Sequence, residues 1–179
     1  STAIEIVVWG IPVIIIGILA VLTWVGSHKY DPYKPLESDK APLTVQVIAE
    51  QFKWIFIYPE QSIATVNELR FPEKTPVNLR LTSNFTMNSF FIPALSGQIY
   101  AMAGMQTHLH LLSDETSPAE GYRGFSSNYS GYGFSQMRFR AHAVTDAQFA
   151  EWVASVKAGK GTSVNPEAVQ KTVLDKAEF

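Results

Sequence analysis

The sequence predicts an all-β sandwich or barrel that follows one membrane-spanning helix and precedes a helical tail. Three observations predict it. Residues Ile6–Val25 carry no charge over 20 positions. Residues 44–144 break into short alternating runs separated by proline and glycine. After Thr145 the apolar positions change to a helical period.

The uncharged run comes first. Twenty residues at about 1.5 Å rise make a helix roughly 30 Å long, the thickness of a bilayer core. The helix is assigned to Ile4–Trp24 (IEIVVWGIPVIIIGILAVLTW), within a segment 1–26. Trp9 and Trp24 lie near its ends, where amphipathic aromatics favour the interface. Pro12 costs a backbone hydrogen bond, which a helix packed among other membrane helices tolerates. A signal peptide fits poorly: there is no basic n-region, the apolar stretch is too long, and no small-residue cleavage pattern is clear. A helix this long and apolar on all sides spans a membrane rather than filling a soluble core.

Residues 27–43 are polar and proline-rich and read as an extended linker, with Ser27–Pro42 (SHKYDPYKPLESDKAP) as its body. The β domain follows at 44–144. Its strands are expected at Thr44–Glu50, Phe52–Tyr58, Leu69–Phe71, Val77–Thr82, Met87–Ile92, Gln98–Ala101, Gln106–Leu112 and Met137–Val144. Strands at this spacing with turn residues between them predict antiparallel pairing. The tail, 145–179, opens on Thr145 as N-cap with Gln148 at the capping-box position. Phe149, Trp152, Val153 and Val156 then recur on one helical face, and Gly159 ends the helix. Asn165-Pro166-Glu167 predicts a second helix.

Composition excludes several functions. Lys and Arg total 14 against 16 Asp and Glu, with no basic run, so no nucleic-acid partner is expected. The chain has no cysteine, which excludes disulfides, thiolate metal sites and a cysteine nucleophile.

Four stretches together resemble subunit II of the bacterial haem–copper oxidases. They are EIVVWGIPVIIIGILAVLTW, EQFKWIFIYPE at Glu50–Glu60, MNSFFIPALSGQIYAMAGMQTHLHL at Met87–Leu111, and FSSNYSGYGFSQMRFRA at Phe125–Ala141. They fall in the family's order from Ile4 to about Val156. The resemblance implies a cupredoxin-like Greek-key domain outside the membrane. The family's subunit also carries an earlier membrane helix, preceded in many members by a signal sequence with a lipid-bearing cysteine. A longer or processed parent protein is therefore expected.

The details resemble the quinol-oxidising branch. In the cytochrome c-oxidising branch this domain binds the dinuclear copper A centre through two bridging cysteines, a carbonyl between them, two histidines and a methionine. The cysteine positions are Ser126 and Ser130 here, and the residue that lends its carbonyl is Asn128. The histidine positions are Phe134 and, upstream, Asn88; Met137 is retained. Copper cycling between cuprous and cupric states needs soft sulfur, and a serine hydroxyl cannot replace a thiolate. Copper A is therefore not expected, and no cofactor is assigned to this chain. A polar network of Ser126, Asn128 and Ser130 is expected in its place. Phe52 stands where that branch has the tryptophan that receives electrons from cytochrome c, so cytochrome c is not an expected partner.

The resemblance implies a non-redox subunit of a complex that oxidises ubiquinol, reduces dioxygen to water and pumps protons. The haems, copper B and the quinol site are expected in subunit I. Expected partners are subunit I, smaller membrane subunits and the lipid bilayer. The location is the inner membrane, with the β domain on the periplasmic side. A menaquinol oxidase is the alternative within the family, although MNSFFIP and AMAGMQT look closer to the ubiquinol type. A stand-alone cupredoxin that carries electrons is disfavoured, since a blue copper site also needs a cysteine.

The resemblance maps Glu5 onto the acid at the cytoplasmic mouth of the K-channel, a proton path in subunit I. An acid at a helix N-terminus is also favourable by itself as an interfacial cap. His108 and His110 alternate and share one strand face. With no cysteine or nearby acid in sequence, that face is read as solvated rather than metal-binding. Met87, Met102, Met105 and Met137 are read as core filler.

Overall fold

A computed structural model describes residues 1–36 and 38–159. The chain divides into two compact units, Ser1–Lys34 and the part from Pro35 onward. The second helix expected at Asn165–Glu167 lies outside the described residues.

The first unit is one helix, α1 (Thr2–Lys29), with Pro12 inside it and no buried residue. It is long and apolar enough to cross a membrane. The helix passes the expected boundary at residue 26. Ser27 Oγ donates to the Thr23 carbonyl at 2.7 Å and the Tyr30 N–H to the Gly26 carbonyl at 2.9 Å, so polar residues close the last turn instead of leaving it.

Among its described residues the second unit is a sandwich of ten strands followed by a helix. The strands are β1 (Leu43–Glu50), β2 (Lys53–Tyr58), β3 (Ile63–Val66), β4 (Glu68–Pro72), β5 (Val77–Ser83), β6 (Asn88–Phe91), β7 (Ile99–Ala101), β8 (Thr107–Leu111), β9 (Tyr122–Ser126) and β10 (Arg138–Val144). Helix α2 spans Asp146–Lys157. One sheet runs β3-β2-β1-β5-β8 and the other β4-β10-β9-β6-β7.

The all-antiparallel expectation is corrected at two places: β1 pairs parallel with β5, and β10 with β4. Between β1 and β5 the chain crosses to the second sheet at β4 and returns, so β5 enters in the direction of β1. The crossing is made at Asn67, in the left-handed region with φ 57°. Its side-chain Oδ1 accepts the Trp54 N–H at 2.8 Å and its carbonyl accepts the Arg140 N–H at 3.1 Å, one bond to each sheet. Asparagine tolerates this conformation better than most residues. Strands β3 and β9 were not anticipated, because each is short and lacks the alternation that marks the others.

The core lies between the sheets. Trp54, Phe56, Phe90 and Phe139 meet there at ring-centroid distances between 4.9 and 6.4 Å. Phe139 lies opposite Gly124 in the β9–β10 register, and its ring fills the space a side chain at Gly124 would need. Helix α2 begins with the expected capping box between Thr145 and Gln148. It buries Phe149, Trp152 and Val156 against this core.

Candidate functional site

The residues that the family resemblance assigns to copper A positions lie at one end of the sandwich, on β6, on the end of β9 and on the loop that leads to β10. Strand alternation buries Asn88 and Ser126, and Ser126 Oγ donates to Asn88 Oδ1 at 3.0 Å. The Asn88 amide donates to the Thr86 carbonyl at 2.9 Å, which fixes the orientation of the amide. The Asn128 carbonyl lies 3.4 Å from Ser126 Oγ, and the Ser126 N–H donates to the Met137 carbonyl at 3.1 Å. Ser130 and Met137 are buried. Phe134 sits on a short 3-10 turn, edge-on to Tyr129 at 5.1 Å.

A second bridge runs beside the first. The Ser127 N–H donates to the Ser89 carbonyl at 3.0 Å. Ser127 Oγ lies 2.9 Å from Ser89 Oγ and 3.0 Å from Gln98 Oε1. Sequence reasoning missed Ser127, Ser89 and Gln98. The signal was the polar side chain at every position from Ser126 to Ser130, which a metal site would not need.

Hydroxyls, an amide, a phenyl ring and one thioether do not make a copper site. They lack the soft anionic ligands that both copper oxidation states require. The Asn88 Oδ1 lone pair and the Ser126 proton are also committed to each other. A buried hydrogen bond therefore joins the start of β6 to the end of β9.

Phe52 belongs to the turn between β1 and β2, not to the strand expected at 52–58. It is held at φ 65°, a costly conformation for a bulky side chain. Its half-buried ring occupies the space above Gly133 that a Cβ would fill at 2.5 Å. The Phe52 ring thus props the loop between β9 and β10 at Gly131 and Gly133.

The other candidates lie elsewhere. Glu5 is on the first turn of α1. His108 and His110 share the outer face of β8, opposite Arg80 and Asn78 of β5. Burial, then the Arg80 charge and His110, hold the His108 imidazole below its ordinary pKa. Among the described residues no group of three His, Asp or Glu could hold a metal ion. Of the methionines only Met137 lies in the core. Met87 and Met105 are exposed, which corrects the reading of all four as filler.

No protein-family model matches the chain. It is 56% identical over 158 residues to the cytochrome bo(3) ubiquinol oxidase subunit 2 of Pseudomonas aeruginosa, covering 88% of this chain and 47% of that protein. It is 40% identical over 163 residues to the probable quinol oxidase subunit 2 of Staphylococcus haemolyticus, covering 91% of this chain and 42% of that protein. The chain spans about half the length of the curated relatives it matches. By structure it is similar to the periplasmic domain of subunit II of the cytochrome oxidase of Bradyrhizobium japonicum. The TM-score is 0.63 at 20% identity, over 70% of this chain and 99% of that one. That likeness establishes a cupredoxin-like fold.

Proposed function

Over the part it spans, the chain belongs to the subunit II family of bacterial quinol oxidases, and on that premise we propose that it serves a ubiquinol oxidase as a subunit without copper. The complex oxidises ubiquinol, reduces dioxygen to water and pumps protons, with its haems, copper B and quinol site in subunit I. Helix α1 anchors the chain in the inner membrane beside subunit I and the smaller subunits. The cupredoxin-like domain caps subunit I on the periplasmic side.

The observation that carries this reading is the Ser126–Asn88 hydrogen bond at the copper A positions. It keeps the fold of an electron-entry domain while leaving no ligand set for the electron carrier. The surrounding surface supports a capping role. No Asp, Glu, Lys or Arg occurs from Leu81 to Ser113 or from Gly124 to Met137. Phe85, Met87, Met105, Tyr129 and Tyr132 are exposed there. Depletion of charge with exposed aromatic and Met side chains is the composition of an interface core. Ubiquinol is favoured over menaquinol because relatives called cytochrome bo(3) ubiquinol oxidase subunit 2 reach 56% identity, against 40% for the staphylococcal quinol oxidases.

Copper and haem analysis of the complex, purified through a tag on this chain, tests the proposal. A haem protein should co-purify, and copper should not exceed the copper B of subunit I. Extra copper, or no haem protein, overturns it. We further assign Glu5 to the proton inlet. Glu5→Ala should slow turnover at unchanged haem content, and full activity would leave Glu5 as an interfacial cap.

A further inference from the structure

The outer face of the second sheet gathers four of the five arginines of a chain whose net charge is −2. Phe139, Ala141 and Ala143 of β10 point into the core, so Arg138, Arg140 and His142 point out. Register adds Arg123 from β9 and Arg70 from β4. Arg140 lies directly opposite Arg123 on one side and Glu68 on the other, and His142 lies opposite Arg70. The one acid in these rows, Glu68, is already taken by Arg70 Nε at 2.6 Å.

Arg123, Arg138 and Arg140 are exposed and form no salt bridge among the described residues. Arg138 Nε donates to the Ser135 carbonyl at 3.1 Å, and the Arg123 guanidinium lies 5.7 Å from the Phe125 ring centre. Like charges directly opposite one another on a sheet destabilise it. The Arg123–Arg140 pair therefore works against the fold, and its use lies outside the fold.

We propose that this arginine face docks an acidic, carboxylate-bearing segment of a protein partner. This goes beyond the role in the oxidase given above, because it names a second surface, the outer face of the second sheet. Three features select the occupant. Arginine forks match carboxylates in paired hydrogen bonds, and there is no lysine in these rows. Phe125 and Phe91, packed edge to face at 5.6 Å, lie beside the arginines and give the mixed aromatic–arginine composition of a protein interface. The face also runs into a cleft of about 730 Å³ between β10, α2 and residues 116–119, with Arg70, His142, Gln148 and Ser155 on its walls. A protruding segment can enter a concave cleft, and a flat bilayer surface cannot. Glu151 also lines the cleft. It is the acid of the cleft lining, and its charge disfavours a carboxylate beside it and leaves Arg70 as the cation of that lining. Burial, then Arg70 and to a lesser extent Arg140, hold the His142 imidazole below its ordinary pKa against the opposing charge of Glu68.

The test uses the full chain in a zwitterionic detergent and a fluorescein-labelled octaglutamate peptide, read by fluorescence anisotropy at low and physiological salt. The wild type should bind the peptide, more weakly as salt rises. The double variant Arg123→Gln/Arg140→Gln should bind about tenfold more weakly. Arg80→Gln, on the outer face of the other sheet, should bind as the wild type does. The melting temperature of the double variant should be unchanged or raised, since a repulsive pair has been removed. No binding by the wild type overturns the proposal, as does equal weakening by Arg80→Gln. A lowered melting temperature assigns the arginines to the fold instead. If phosphatidylglycerol vesicles bind through these arginines and the peptide does not, the face belongs to a lipid surface.

Discussion

Helix α1 and the cupredoxin-like sandwich are built from the same apolar residues, and these point opposite ways. In α1 no residue is buried: Ile14 is 64% exposed and Trp24 69%. In the sandwich Trp54 is fully buried and Ile48 is 1% exposed. The comparison shows that burial is defined by the surrounding solvent. The sandwich removes apolar area from water by packing two sheets face to face. A helix that is apolar all round has no such partner among the described residues, and its length and composition suit a bilayer.

The largest expected effect that sharpens this contrast is in the core. Trp54→Ala should cost about 3–5 kcal/mol of unfolding free energy, measured by denaturant titration of the full chain. Trp54→Phe should cost much less, because the indole N–H is buried and makes no hydrogen bond among the described residues. A loss for Phe equal to that for Ala would show that the N–H has a partner. The converse change belongs to α1. Ile15→Lys should raise the cost of insertion by about 2.5–3.5 kcal/mol, read as loss from the membrane fraction. The melting temperature of the sandwich should not move. If it does, α1 and the sandwich are not the separate units that their contacts define.

A smaller effect is expected at the copper A positions. Ser126→Ala leaves Asn88 Oδ1 buried without its donor and should cost about 1–2 kcal/mol. Ser127→Ala, at an exposed position, should cost less. Equal losses would mean that the buried bridge contributes no more than the exposed one.

The smallest effect is set by pH. The folded pKa of His142 lies below the unfolded value, so folding favours the neutral ring. Above the unfolded pKa, about 6.5, both states are neutral and this contribution is fully present. As pH falls below that value the unfolded chain binds a proton first, and stability declines until the folded ring is protonated too. The melting temperature should therefore drop between neutral and mildly acidic pH, and His142→Gln should flatten that slope. His108, lowered in the same direction by burial and Arg80, adds to the wild-type slope and is unaffected by this substitution.

Much of the architecture was legible in the residues. The strands with clean alternation, such as β10 with its buried Phe139, Ala141 and Ala143, fall within one or two residues of expectation. The α2 capping box was legible because its bonds are made within four residues. Short strands without alternation, β3 and β9, were not. Nor was the turn at Phe52, where β-rich aromatic sequence predicts a strand. The ring reaches Gly133, some 80 positions along the chain, and that contact sets its backbone. At the candidate site the sequence singled out Asn88, Ser126 and their neighbours, but not the Ser127–Ser89–Gln98 bridge that runs beside them.

The sequence by itself determined the apolar helix long enough to cross a membrane, the β class, the capped helix and the absence of cysteine, because each depends on local period or on residue chemistry alone. The tertiary structure decided the parallel pairings, the Ser126–Asn88 bond across 38 positions and the gathering of four arginines on one face. These depend on which strand lies beside which. Register is a relation between distant segments, set when two sheets close on a common core, and no single segment carries it.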